Sequence, residues 1–318
     1  MLEVMLTSES GSIFDISQIV DSVEFTDNIN QAGICKFNIL QNDVVLPSEG
    51  NAVSVKYGND PYFKGFIFKN SWSNNDPSKI TAYDQLRYLK AKDTYSFKNK
   101  TASQAAQQVF SDFGLKAGTI EDTGYNLGKL SPFDNKVVLD MISDCINLTL
   151  RNTKKYFYFK DEFGSAVLRN IESTVSNLLA GTDTTIFNYN YERSIDDETY
   201  NQIKLARDNK DTGKREIYIS KDSSTIKKWG LLQYYEKLDD SVNAEQAKAK
   251  SDALLSLKNK VQQKLTSVEI LGDKTIRAGY MIYVNVPRAK IRKYLLCTKA
   301  VHTFTDISHT VKADFKLV

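Results

Sequence analysis

The side chains best suited to chemistry in this sequence are few and scattered. It holds two histidines, His302 and His309, and three cysteines, Cys35, Cys145 and Cys297. A site built from several imidazoles is out of reach, the histidine spacing is not His-Glu-x-x-His, and no Cys-x-x-Cys accompanies it. Both histidines are expected as polar positions flanking the turn Asp306-Ile307-Ser308. Cys145 falls on the apolar face of a helical stretch, where a thiol behaves as a small hydrophobe rather than a nucleophile. Asp196, Asp197 and Glu198 are carboxyls in a row, but adjacent loop side chains do not flank a substrate as glycosidase acids do, so solvated loop charge is expected. There is no Walker loop, no Gly-x-Gly-x-x-Gly and no Gly-x-Ser-x-Gly. Asp208-Asn209-Lys210-Asp211-Thr212-Gly213 puts a lysine where a calcium loop needs Asp or Asn. No catalytic residue, metal or cofactor is expected.

Composition narrows the remaining classes. A chain of 318 residues exceeds one typical core, so two or three domains are expected. With 41% hydrophobic and 25% charged residues and no apolar run of about eighteen, membrane insertion is not expected. The start, MLEVMLTSESGSIFDI, lacks a basic segment and does not resemble a secretory signal, which points to a cytosolic chain. Odd in number and far apart in sequence, the cysteines fit reduced thiols. A net charge of +3, from 42 basic and 39 acidic residues, is too balanced for a dedicated nucleic-acid binder. The lysines between Lys204 and Lys228 are interspersed with acids and read as a hydrated surface. No specific nucleic acid is expected, although weak contact stays open.

The elements that would position any site are legible as periodicities. KFNIL (Lys36 to Leu40), AVSVKY (Ala52 to Tyr57), YFKGFIFKNSW (Tyr62 to Trp72) and KITAYD (Lys79 to Asp84) predict strands, separated by turns at Gly58 to Pro61 and Ser73 to Pro77. Thr101 with Gln104 forms a capping box ahead of Ala102, Ala105, Ala106, Val109 and Phe110, and Gly114 ends that helix. Ser131-Pro132-Phe133-Asp134 predicts a second helix start, with Val137, Val138, Met141, Ile142 and Cys145 on one face. A hairpin follows over Tyr156 to Ile171, then strands at Thr185 to Tyr191 and Asn201 to Ser220. Asn243 caps a long helix, about 243–262, with Ala247, Leu254 and Val261 at seven-residue spacing. Val311, Ala313, Phe315 and Leu317 alternate with polar residues in a closing strand.

Two features bear on architecture. AVSVKYGNDPYFKGFIFKN leading into SKITAYDQL shares its grammar with MIYVNVPRAKIRKYLLCTKAVHTFT leading into SHTVKADFKLV: strand, tight turn, longer strand, alternating strand. The expected fold is α+β, mainly β: two small antiparallel barrels with an α+β domain between them, at 1–92, 93–185 and 186–318. In TAYDQLRYLKAKDTYSFKNKTASQ, Tyr83, Leu86 and Leu89 follow i, i+3, i+6 spacing. That predicts a structural joint rather than an active site, with its apolar side against the first barrel and Asp84, Gln85 and Arg87 toward solvent or a partner.

AYDQLRYLKAKDTYSFKNKTASQAAQQVFSDFGL, Ala82 to Leu115, resembles the XkdQ/YqbQ family of prophage tail proteins, as do LGDKTIRAGYMIYVNVP and the closing VHTFTDISHTVKADFKLV. The resemblance implies a baseplate hub of a contractile tail, assembled in the bacterial cytoplasm and carried in the virion or a phage-tail-like particle. Such a hub is a homotrimer whose two tube-like barrels per chain make a pseudo-sixfold ring. It would partner the hexameric tail tube protein, the trimeric central spike protein and other baseplate subunits. The helix carrying Ala247, Leu254 and Val261 is then expected to buttress assembly edges. No catalytic residue carries over from the family. A cell-wall hydrolase and a weak nucleic-acid-binding module remain as alternatives.

Overall fold

Seven strands form before residue 84, and alternation accounts for most of them. The computed structural model describes residues 1–40, 47–73, 76–128, 132–196, 198–209 and 212–317. They are β1 (Leu2–Thr7), β2 (Ile13–Asp15), β3 (Val20–Asn28), β4 (Ile34–Ile39), β5 (Ala52–Tyr57), β6 (Asp60–Ser73) and β7 (Asp76–Tyr83). In β1, Leu2, Val4 and Leu6 are buried while Glu3, Met5 and Thr7 are half-exposed, the period of a strand with one apolar face. The four strands read from the sequence are β4 to β7; β1 to β3 were not singled out. The turn before β6 contains Gly58 at φ 61°, a conformation that glycine adopts without a Cβ clash.

A helical insert follows: β8 (Lys92–Tyr95), α1 (Ala102–Asp112), β9 (Ala117–Ile120), β10 (Phe133–Val137), α2 (Val138–Thr153), β11 (Phe157–Asp161) and β12 (Ala166–Asn170). Both halves of the Thr101/Gln104 capping box are present, and Gly114 adopts φ 63° just past α1. The second helix start is corrected. Phe133 to Val137 pair with Tyr95, Asp93 and Lys92 as a strand, so α2 begins at Val138, and Ser131 lies outside the described residues. Backbone pairing with β8 overrides the local Pro–Asp signal. Val138, Met141, Ile142 and Cys145 nevertheless share one buried face against α1, β11 and β12.

The rest of the chain comprises β13 (Val175–Gly181) and β14 (Ile186–Ser194), then β15 (Gln202–Asn209), β16 (Lys214–Lys221), α3 (Ser223–Trp229), β17 (Gln233–Lys237) and α4 (Ala244–Lys258). β18 (Gln262–Leu271), β19 (Met281–Val286), β20 (Ile291–Phe304) and β21 (His309–Lys316) close it. Two compact units result, one of Met1–Asn190 with residues from Leu265 onward, the other Tyr191–Lys264.

The first unit carries the repeat. β5, β6 and β7 contain 6, 14 and 8 residues, and so do β19, β20 and β21. The sheet order β5-β6-β7-β4-β3 is matched by β19-β20-β21-β18-β14, with the strands taken in the same chain sequence. Antiparallel pairing of β3 with β20 joins the halves in one 13-stranded sheet. The match stops at the flanks: β1 is antiparallel to β5, whereas β13 is parallel to β19. In sequence, most of Tyr191–Lys264 is inserted into the second copy between the end of β14 and the start of β18, where the first has only the short β3–β4 turn.

In the second unit, β16-β15-β17 form a sheet, with β15 antiparallel to β16 and parallel to β17. α4 starts on the Asn243/Gln246 capping box and buries Ala247 and Leu254 against Ile203, Leu205 and Leu238. Val261 is corrected: Asn259 donates to the Leu255 carbonyl as C-cap, the helix ends at Lys258, and Val261 is outside it. Ala247 and Leu254 therefore face the sheet of their own unit.

Candidate functional site

A carboxylate sits at the centre of the first unit. Phe25 and Asp27 lie on β3, and Asp27 is 2% exposed. Its Oδ2 accepts from Lys160 Nζ at 2.6 Å, from Arg277 Nε at 2.7 Å and from the Ala278 amide at 3.2 Å. Lys160 comes from β11 in the helical insert and also donates to the Ala278 carbonyl at 3.0 Å. Arg277 comes from the segment before β19, and its guanidinium lies over the Phe25 and Tyr62 rings. One side chain thus ties together the first half of the sheet, the insert and the second half. Burial disfavours the Asp27 charge, but the two cations overcome this and hold its carboxyl below the usual range. Burial pulls the Lys160 ammonium down, opposed by Asp27.

An aromatic stack borders the junction. His302 is fully buried between Phe25 and Phe304, with its Nδ1 3.0 Å from His309 Nε2 and Tyr62 edge-on to both imidazoles. The histidines are therefore not simply polar flanks of the turn at Asp306: their registers, opposite Val311 and Phe304, bring them together inside the sheet. His302 Nε2 finds no hydrogen-bond partner among the described residues. Burial pushes the His302 pKa well below its ordinary 6.5 and that of His309 down to about 4.

The joint expected at Tyr83, Leu86 and Leu89 is a short 3-10 turn, Gln85–Lys90, capped by Asp84. Its apolar side is corrected: Leu86 and Leu89 are buried in the core built on α1 and α2, not in the core of β1 to β7. Asp84 and Gln85 are buried rather than turned to solvent. Asp84 accepts from the Gly33 amide at 2.6 Å and the Leu86 amide at 2.9 Å. Gln85 donates to Asp161 at 2.8 Å and exchanges hydrogen bonds with both backbone groups of Lys116. Burial and the Asp161 carboxylate push the Asp84 carboxyl well above the usual range. Arg87 packs over Phe68 and Tyr83.

These groups are arranged for cohesion rather than turnover. Asp27, Lys160 and His302 are each no more than 2% exposed, leaving no open face for a substrate. Cys35, Cys145 and Cys297 are buried and their thiols pushed up, Cys145 to about 12. Among the described residues, no group of three or more His, Cys, Asp or Glu could hold a metal ion. Of the loop acids, Glu198 pairs with Lys258 and Asp197 lies outside the described residues. A surface cleft of about 440 Å³ lies between Thr182 to Tyr189 and Pro287–Arg288. The ionic junction itself escaped the sequence reading, although Lys160 directly after the aromatic run Tyr156 to Phe159 was a signal, since a lysine so placed needs a buried partner.

A fold of this kind is found in phage tail proteins. It matches the 43 kDa tail protein of prophage MuSo2 from Shewanella oneidensis with a TM-score of 0.71 at 13% identity, over 99% of this chain and 97% of that one. It also matches the c3393 protein of E. coli, described as a component of the type VI secretion system with structural similarity to T4 bacteriophage tail proteins gp27 and gp5. There the TM-score is 0.57 at 11% identity, over 94% of this chain and 73% of that one. In sequence the chain is 30% identical over 270 residues to the phage-like element PBSX protein XkdQ of Bacillus subtilis (strain 168), spanning 84% of this chain and 81% of that protein. The chain belongs to the YQBQ-like family, whose family model matches residues 23–316.

Two predictions follow from the junction. Asp27→Asn strands two buried cations and is expected to destabilise the chain by about 3–5 kcal/mol. Lys160→Met leaves the Asp27–Arg277 pair in place and should be milder; urea denaturation of both variants checks the order. The second concerns acid. Because both histidines have folded pKa values below 6.5, the unfolded chain binds more protons below that pH, so their stabilisation is full above pH 6.5 and is lost toward pH 4. Asp84 and Asp161, pushed up, act in the opposite direction. The decisive comparison is therefore His302→Phe, which keeps the stack: its urea midpoint should fall less between pH 6.5 and 4 than that of the parent chain.

Proposed function

We propose that this chain is the structural hub of a contractile-tail baseplate. In this reading it forms a homotrimer in which two tube-like barrels per chain, within residues 1–92 and 186–318, make a pseudo-sixfold ring, with 93–185 between them. The ring joins the hexameric tail tube protein to the trimeric central spike protein and contacts other baseplate subunits.

The observation that carries this reading is the duplicated strand set, 6, 14 and 8 residues long in each half with the same order and chain sequence. Two equivalent strand sets in a chain are what a threefold body needs to present six equivalent faces to a hexamer. Among the described residues, the sheet path ends at β2 and β14, with a side branch ending on β13. Unpaired strand edges invite completion by a neighbouring chain, which supplies a physical route to the large interfaces, about 2,000 Å² or more, of an obligate assembly. The joint at Tyr83, Leu86 and Leu89 holds the first half of the sheet to the helical insert, and Ala247 and Leu254 brace α4 on its own sheet. The sealed ionic junction serves rigidity, not catalysis. No helix among the described residues is long and apolar enough to cross a membrane.

Electron cryomicroscopy of purified tails tests this. Three copies of the 36.0 kDa chain should surround the tail axis, with six strand sets contributed to the ring adjoining the tube. A different copy number, or a position away from the tube–spike junction, would contradict the hub reading.

A further inference from the structure

Among the described residues of the second unit, α4 packs on one face of the sheet and nothing packs on the other. Along β16, Glu216, Tyr218 and Ser220 turn to the side of α4, and Arg215, Ile217, Ile219 and Lys221 turn away and are exposed. Registers place Ile219 and Tyr235 on either side of Lys204, and Ile217 and Lys237 on either side of Ala206. Ile217, Ile219 and Tyr235 are 52%, 46% and 51% exposed, apolar positions on the two outer strands with Lys204 and the buried Ala206 between them on β15. Lys204 stands at the middle of this face and Arg215, Lys221 and Lys237 on the outer strands; among the described residues of these three strands the one acid on that side is Asp208, which pairs with both Arg215 and Lys237. Lys204 and Lys221 have no ion-pair partner among the described residues.

We infer that this open face is a docking surface for an acidic amphipathic helix of a partner protein, its apolar residues laid on Ile217, Ile219 and Tyr235 and its Asp and Glu residues facing Lys204 and Lys221. Three strands span roughly 10 Å between the outer pair, close to the ~10–12 Å diameter of a helix with its side chains. β15, at eight residues, is about 27 Å long, enough for five helical turns. Charge decides against a second copy of the same face, since that would set lysines against lysines. The aromatic content of the face decides against nucleic acid, because one tyrosine offers a single stacking platform. The surface is independent of the hub reading, since it needs neither trimer nor ring.

The test uses the full-length chain and a fluorescently labelled helical peptide of about twenty residues with a leucine stripe flanked by glutamates. A second peptide carries lysines in place of the glutamates, and a single-stranded oligonucleotide completes the set. Anisotropy should show saturable binding of the acidic peptide, with the basic peptide at least about tenfold weaker. Ile217→Ser with Ile219→Ser, checked by circular dichroism, should weaken the acidic peptide at least about tenfold. Lys204→Glu with Lys221→Glu should exchange the preference in favour of the basic peptide. Equal binding of both peptides, indifference to these substitutions, or tighter binding of the oligonucleotide through the same residues would overturn the inference.

Discussion

Asp27 accepting from Lys160, Arg277 and the Ala278 amide is the contact on which the first unit depends. Its partners lie 133 and 250 residues away in sequence. A buried ion pair is a weak source of net stability, because desolvation of the charges offsets most of their attraction. Its value is specificity. Any packing of the insert or of the Arg277 segment that misplaces either cation leaves an uncompensated charge in the interior, so competing arrangements are penalised more heavily than the native one is favoured.

The surroundings are fitted to this contact. Gly279, at φ 90°, lies two residues beyond Arg277, where an added Cβ would meet the Tyr158 ring at 2.2 Å. Glycine there lets the Arg277–Gly279 segment approach β11 closely enough for Ala278 to bond both Asp27 and Lys160. Asn30, at φ 57°, accepts from and donates to Phe159, pinning the end of β3 to the same strand. A unit tied at so many points transmits load as one piece, as the proposed hub role would require.

Local grammar made much of the fold legible. The capping boxes at Thr101 and Asn243 mark their helices correctly, because a cap is a short-range device whose residues lie three apart. The 6-14-8 strand set was visible as shared grammar, because alternation survives wherever one face is buried. What failed was non-local. Ser131 to Asp134 carries a helix-start pattern, yet Phe133 onward is claimed by β8, and Asp84 and Gln85 look like surface residues until Gly33 and Asp161 arrive from distant parts of the chain. The ionic junction was hidden for the same reason, since each of its members is an isolated charge in its own segment.

The claim that one junction makes the two halves of the sheet and the insert into a single body is most directly tested by native-state hydrogen exchange read by mass spectrometry. The slowest amides of β5 to β7 and of β19 to β21 should open with one common free energy, and Asp27→Asn should lower it equally in both sets. Separate opening of the two halves, or an effect of Asp27→Asn confined to one of them, would contradict the account.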